Sequence, residues 1–150
     1  MIPFHQAPLC GPEFDSVTEA LASGELAGDG PYAAACSREL KRLTGAAAVL
    51  MTPSGTAALE LAALLLEIRP GDEVILPSFT FPSTANAFAL RGAVPVFVDI
   101  RPQDMNLNTR LIEAAVTPAT RAIAPMHYGG MACRMEAILA LAEAYGLAVV

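Results

Sequence analysis

Short apolar runs at residues 47–51, 73–77, 94–100 and 122–126, with a fifth at 147–150, set the frame for this chain. Each is too short for a helix and long enough for a strand. The stretches between them carry helical spacing instead. Leu111, Ile112, Ala115 and Val116 make one such set; Met135, Ile138, Leu139 and Ala142 make another, with Glu136 and Glu143 turned elsewhere. Strands that alternate with helices favour an α/β fold with a mostly parallel sheet and flanking helices, because parallel neighbours need crossovers and the crossover helices cover the sheet. The composition agrees: 54% hydrophobic and 16% charged residues suit strands covered on both faces, or a surface left for a partner. At 150 residues the chain suffices for one domain, which at this size buries roughly 70% of its unfolded surface.

The charge balance excludes some functions. Eight arginines and one lysine against 15 acidic residues leave a net charge of -6, and the basic residues are scattered along the chain, so no concentrated basic face for nucleic acid is expected. No apolar run reaches the ~18 residues of a membrane span, and the opening MIPFHQ lacks the basic start and apolar core of a secretory leader. A cytoplasmic location is the resulting expectation. Cys10, Cys36 and Cys133 are odd in number and far apart, which suggests three reduced structural thiols. With His5 and His127 as the only histidines, no metal site is expected.

Upstream of the β/α alternation, Tyr32, Cys36, Leu40 and Leu43 form one stripe of a helix that Gly45 should end, while Arg38, Glu39, Lys41 and Arg42 form its solvated face. Residues 57–68 are apolar almost all round, which predicts a buried helix closed by the turn RPGD (69–72). Between the two N-terminal stretches lies GELAGDG (24–30), either a plain connection or a mobile loop; sequence alone favours the connection. We divide the chain into an N-terminal helical segment and loop, 1–45, and a β/α domain, 46–150.

Ligands of open parallel sheets bind beyond the carboxyl ends of the strands, so the loops there carry the functional information. They read TPSGT (52–56), PSFTF (77–81), DIRP (99–102) and HYGG (127–130). In TPSGT, Gly55 permits close approach, Ser54 and Thr56 bring hydroxyls, and the following helix offers free amides and a positive dipole end, which together suit a phosphate. Taken alone, the same residues are better explained as a helix cap. The GxxxxGK and GxGxxG patterns of nucleotide loops are absent from the 150 residues. Phe79 and Phe81 offer a ring that could lie on a planar heterocycle, although each alone reads as core. His127 could orient or protonate a ligand, or be a hydrogen-bonded structural residue. Asp72, Glu73 and Asp99 take structural roles at a turn and at strand ends.

Together, TPSGTAALELAALLL, RPGDEVILPSFTFPSTANAFALRGAVPVFVDI and MHYGG resemble the sugar aminotransferases of the DegT/DnrJ/StrS family, in one order over nearly the whole chain. The resemblance implies the N-terminal part of the large domain of a fold-type I pyridoxal-phosphate enzyme. It assigns Ser54, Gly55 and Thr56 to the cofactor phosphate and Phe81 to the face of the cofactor ring. IPFHQAP, GELAGDG and MNLN are similar to the subgroup that moves an amino group from glutamate to a dTDP-linked 4-keto-6-deoxy sugar, giving dTDP-4-amino-4,6-dideoxygalactose for cell-surface polysaccharide. A homodimer with sites built from both subunits is implied too, with GELAGDG reaching across.

The family also uses an aspartate at the pyridinium nitrogen and, further on, a lysine that carries the cofactor. Both would follow the strand at 147–150. Lys41 precedes the phosphate loop and sits on a polar helix face, so no catalytic residue is assigned within these 150 residues. We expect the 150-residue chain by itself to be inactive and prone to aggregation, because its last apolar strand would lack cover. The rival expectation is a non-catalytic remnant, or a phosphate-binding fragment.

Overall fold

The structure is a computed structural model that describes residues 2–3 and 6–150; Phe4 and His5 of the IPFHQAP opening lie outside the described residues. Two compact units are present, Met1–Met51 and Thr52–Val150.

The first unit holds two helices. Proline opens each one, where its missing N–H costs nothing and its fixed φ suits the first turn. Helix α1 (Pro12–Ser23) ends at Gly24 and α2 (Pro31–Thr44) at Gly45, both glycines left-handed with φ of 72° and 70°. The expected α2 and its glycine stop are therefore present. Residues 24–30 form an irregular turn joining the two helices. Neither helix buries a residue among the described residues.

The second unit is the α/β body. Its elements are α3 (Gly55–Leu65), β1 (Glu73–Pro77), α4 (Pro82–Ala89), β2 (Val94–Val98), α5 (Thr109–Ala115), β3 (Thr120–Ile123), α6 (Met135–Tyr145) and β4 (Ala148–Val149). The four strands form one sheet in the order β2-β1-β3-β4, with every pairing parallel. Side chains alternate across the pleat. Val74 and Leu76 enter one core with Ala63, Ala87 and Phe88 of α3 and α4. Ile75 enters the other with Ile112 of α5 and with Ile138 and Ala142 of α6. Helices thus cover both faces, as the α/β pattern requires. No helix among the described residues is long and apolar enough to cross a membrane.

Two expectations need correction. Residues 47–51 form no strand: none of the ladders includes them, and Leu50 and Met51 are exposed. An apolar run becomes a strand only when a neighbour accepts its backbone hydrogen bonds, and no described strand does so here. The helix expected at 57–68 forms as α3, but it is not buried all round. Ala63 is its one buried residue, while Leu64 and Leu65 are exposed. The face of Leu59 and Ala63 packs on β1 and α4.

Candidate functional site

The sheet order sends β2 to one side of β1 and β3 to the other. At such a reversal the loops leaving two adjacent strands diverge and open a crevice at their carboxyl ends. PSFTF leaves β1 there and residues 124–130 leave β3. The crevice is a cavity of about 420 Å³ lined by Phe79, Thr80, Phe81, Met126, His127 and Tyr128, together with Pro82 and Gly129. That volume falls within the usual range for a small cofactor.

Several contacts fix its walls. The Phe79 and Tyr128 rings pack with centroids 5.2 Å apart, tilted by 48°. The Thr80 hydroxyl lies 2.9 Å from that of Thr84 and donates to the Met126 sulfur at 3.2 Å. Phe81 begins α4 and is 71% exposed, so its ring is not core. Its apolar face lines the cavity and stays open to solvent.

His127 is held by the backbone N–H of Cys133, which donates to its Nδ1 at 3.1 Å. A neutral imidazole whose Nδ1 accepts must carry its proton on Nε2. The structural reading of His127 is thus observed, and among the described residues no group accepts from Nε2.

The loop that carries His127 and Tyr128 is anchored by a residue the sequence reading did not single out. Asn106 is 2% exposed; its Oδ1 accepts from Tyr128 N–H at 2.9 Å and its Nδ2 donates to Met131 C=O at 3.0 Å. The sequence did hold a signal, a polar residue between Met105 and Leu107, the latter buried. A buried amide of this kind has to bond on both sides, and here it ties the loop after β2 to the loop after β3. Cys133 adds a bond from its thiol to Met126 C=O at 3.1 Å.

The TPSGT residues form a second component. Ser54 is the N-cap of α3, and its hydroxyl accepts from Ala57 N–H at 3.1 Å. Thr52 donates to Ser54 C=O at 3.0 Å and steadies the turn. Among the described residues no group accepts from the N–H of Gly55 or Thr56, and a Cβ on Gly55 would meet nothing within 4 Å. Open space above two free amides at the positive end of an 11-residue helix fits an anion. Ser54 thus serves as the cap, and the next two amides make no bond among the described residues.

Helix α3 is joined to the amino end of β1 by a short turn and packs against it, so it runs back along the strand. At ~1.5 Å per residue it covers about the length of a five-residue strand at ~3.3 Å each, which brings Ser54 to the carboxyl edge. Ser54, Gly55 and Thr56 do not themselves line the cavity that holds Phe81.

The carboxylates take the structural places expected of them. Asp99 accepts from Ser78 and from Ile100 N–H, Asp72 accepts from Arg69 N–H and from Arg121, and Glu73 from Thr117.

Comparison with known proteins gives the same picture. Residues 11–150 match the DegT/DnrJ/EryC1/StrS aminotransferase family. The spore coat polysaccharide biosynthesis protein SpsC of Bacillus subtilis is 45% identical over 146 residues, covering 97% of this chain and 37% of that protein. Among solved structures, 3-amino-5-hydroxybenzoic acid synthase superposes with a TM-score of 0.90 at 35% identity, over 98% of this chain and 39% of the other. NtdA of Bacillus subtilis, with bound cofactor PMP, gives 0.85 at 38% identity over 91% and 31%. The chain thus spans less than two fifths of the length of these relatives, and it belongs to the DegT/DnrJ/EryC1/StrS aminotransferase family.

Proposed function

We propose that these residues supply the phosphate seat and one wall of the ring site in a pyridoxal-phosphate-dependent sugar aminotransferase, one that passes an amino group from glutamate to a nucleotide-linked 4-keto-6-deoxy sugar for polysaccharide synthesis. The observation that carries this reading is the cavity at the sheet's reversal point, walled by Phe81 and His127, and the amides of Gly55 and Thr56, which make no bond among the described residues, add to it. NtdA, a member of the same fold, holds PMP, which supports the cofactor class. Residues 46–150 are read as part of the cofactor-binding domain and 1–45 as the helical segment before it. A cytoplasmic homodimer is part of the same proposal, as is the dTDP-4-amino-4,6-dideoxygalactose product.

When bound, pyridoxal phosphate supplies an electron-withdrawing ring that stabilises charge developing next to the reacting nitrogen. This chain's own residues do the holding. The Gly55 and Thr56 amides and the Thr56 hydroxyl bind phosphate oxygens, with the α3 dipole adding attraction. Phe81 covers one face of the ring and keeps water from it. His127 Nε2–H donates to a polar group of the ligand, while Asn106 keeps the His127 loop in place.

Lys41 is the one lysine of the 150 residues and stands on α2, among Arg38, Glu39 and Arg42. That observation favours a second reading for these residues taken by themselves, a phosphate-binding segment without a reaction of its own.

One experiment addresses both. The protein expressed from its complete coding sequence is titrated with pyridoxal phosphate, then treated with borohydride and mapped by peptide mass. Gly55→Asp and Phe81→Ala should each weaken binding, by about tenfold or more for the added charge and by several-fold for the lost ring contact. Covalent label should fall on a lysine other than Lys41. Unchanged binding in both variants, or label on Lys41, would overturn the assignment.

A further inference from the structure

The same unit holds an arginine-rich hollow whose lining is distinct from that of the cavity of Phe81 and His127. A hollow of about 350 Å³ is lined by Arg101, Pro102, Gln103, Asn108, Arg110 and Arg134. Three of the chain's nine basic residues therefore face one space, in a protein of net charge -6, and no carboxylate is among the lining residues.

The arginines are placed by structure and not by chance crowding. Arg101 is only 20% exposed and is held by Asp104, with Nη2 to Oδ2 at 3.3 Å. Its backbone is pinned from three sides: its N–H donates to Asn106 C=O at 2.8 Å, and its own C=O accepts from Met105 at 2.8 Å and Asp104 at 3.3 Å. The Ile100–Leu107 bridge closes the base of this loop. Asn106 then ties the loop to Met131, three residues before Arg134. One hydrogen-bonded assembly thus positions Arg101 and Arg134.

Two of the three charges are also left without a carboxylate partner among the described residues. Of the six arginines in Thr52–Val150, Arg69, Arg101 and Arg121 make ion pairs, whereas Arg110 and Arg134 make none among the described residues. Arg134 occupies the N-cap of α6, a place where Ser, Thr, Asp or Asn is usual and where the helix dipole repels a cation. No side chain caps that helix; Glu136 in its first turn offsets part of the repulsion. An anion in the hollow would neutralise Arg110 and Arg134 and face the uncapped amides at once.

We propose that this hollow binds a phosphate-type dianion or larger, of diphosphate size, through Arg101, Arg110 and Arg134. Arginine suits the task because its planar fork meets two oxygens of one phosphate. The site is separate from the seat proposed at Ser54, Gly55 and Thr56 and does not depend on it. Two sources share the chemistry, the diphosphate of a nucleotide and a free phosphorylated metabolite.

The test uses isothermal titration of the full-length protein, saturated with pyridoxal phosphate, with inorganic diphosphate as the probe at low ionic strength. Binding should be measurable and fall steeply with salt. Arg110→Gln with Arg134→Gln should weaken it by about tenfold per arginine, since bonds to charged groups are worth that much. Arg91→Gln, on an exposed arginine outside the hollow, should leave it unchanged. Competition by thymidine diphosphate that fails in the double variant would assign the site to a nucleotide. Diphosphate binding indifferent to thymidine diphosphate would assign it to a free metabolite. Absence of binding by the native protein, or equal binding by the double variant, overturns the proposal. So does diphosphate binding that appears only when pyridoxal phosphate is omitted, which would place the anion at Ser54 to Thr56.

Discussion

The two units carry the same kind of amphipathic pattern and treat it differently. In Thr52–Val150 the apolar stripes of α4, α5 and α6 are inside, with Phe88, Ile112 and Ile138 fully buried against the sheet. In Met1–Met51 the stripe of α2 is just as regular, yet Tyr32, Leu40 and Leu43 are all exposed. Periodicity sets which residues share a face. Whether that face is buried depends on a second surface, which the pattern does not encode. A sheet supplies that surface to one unit, and two helices cannot supply it to each other.

The sharpest way to break the contrast is to delete matched apolar side chains in the two units and measure unfolding by denaturant. Phe88→Ala should cost about 3–5 kcal/mol, from lost transfer energy and the cavity left in a packed core. Leu43→Ala, at 63% exposure, should fall within about 0.5 kcal/mol. A Leu43 effect approaching that of Phe88 would mean that the stripe of α2 is covered in the working protein, and the contrast would then describe a missing surface.

A smaller effect is expected at Asn106, where the polar interior of the second unit is concentrated. Asn106→Leu keeps the volume and removes both bonds, leaving the Tyr128 N–H and Met131 C=O without their partner. The cost should be about 1–3 kcal/mol for each group that stays buried and unpaired. The same variant should loosen pyridoxal phosphate binding, because His127 and Tyr128 share that loop. Asn106→Asp, which keeps the acceptor for Tyr128, should recover cofactor binding in part. Loss of stability with native cofactor affinity would show that Asn106 serves the fold and not the site.

The same distinction explains what the sequence made legible. The runs at 73–77, 94–100 and 122–126 became β1, β2 and β3 because each finds a parallel neighbour, and the loops after β1 and β3 line the cavity at the carboxyl edge. The run at 47–51 is wholly apolar and joins no ladder, so composition alone did not reveal that it forms no strand. The Ser54 cap and the place of Phe81 on the cavity wall were legible through local chemistry, a hydroxyl at a helix start and a ring at a strand exit. Asn106 and the arginine hollow were not. Their meaning arises from residues 22 to 33 positions apart meeting in space, and no window of sequence contains both ends.

The least disruptive probe of the comparison is the thiols, which sample both units without mutation. Cys10 and Cys36 of the first unit are exposed, while Cys133 of the second is buried. Burial raises the Cys133 pKa above the ordinary thiol value, chiefly because the thiolate would lose its hydration; bonds from the backbone oppose this only in part. Alkylation proceeds through the thiolate and needs access to the sulfur, so buried Cys133 should be the slowest of the three near neutral pH, and its rate should keep climbing above the ordinary thiol range. The linkage has a definite sign. A group whose folded pKa is raised keeps its contribution below the unfolded value and loses it as pH rises through the folded one. Stability should therefore decline on the alkaline side of the ordinary thiol range, and Cys133→Ala should flatten that decline. Mass spectrometry of timed alkylation reads the first effect, and denaturant unfolding at a series of pH values reads the second. Equal rates for Cys133 and Cys36 would mean that the loop carrying His127 opens as readily as the exposed helix α2. The buried side of the comparison would then rest on the sheet core alone.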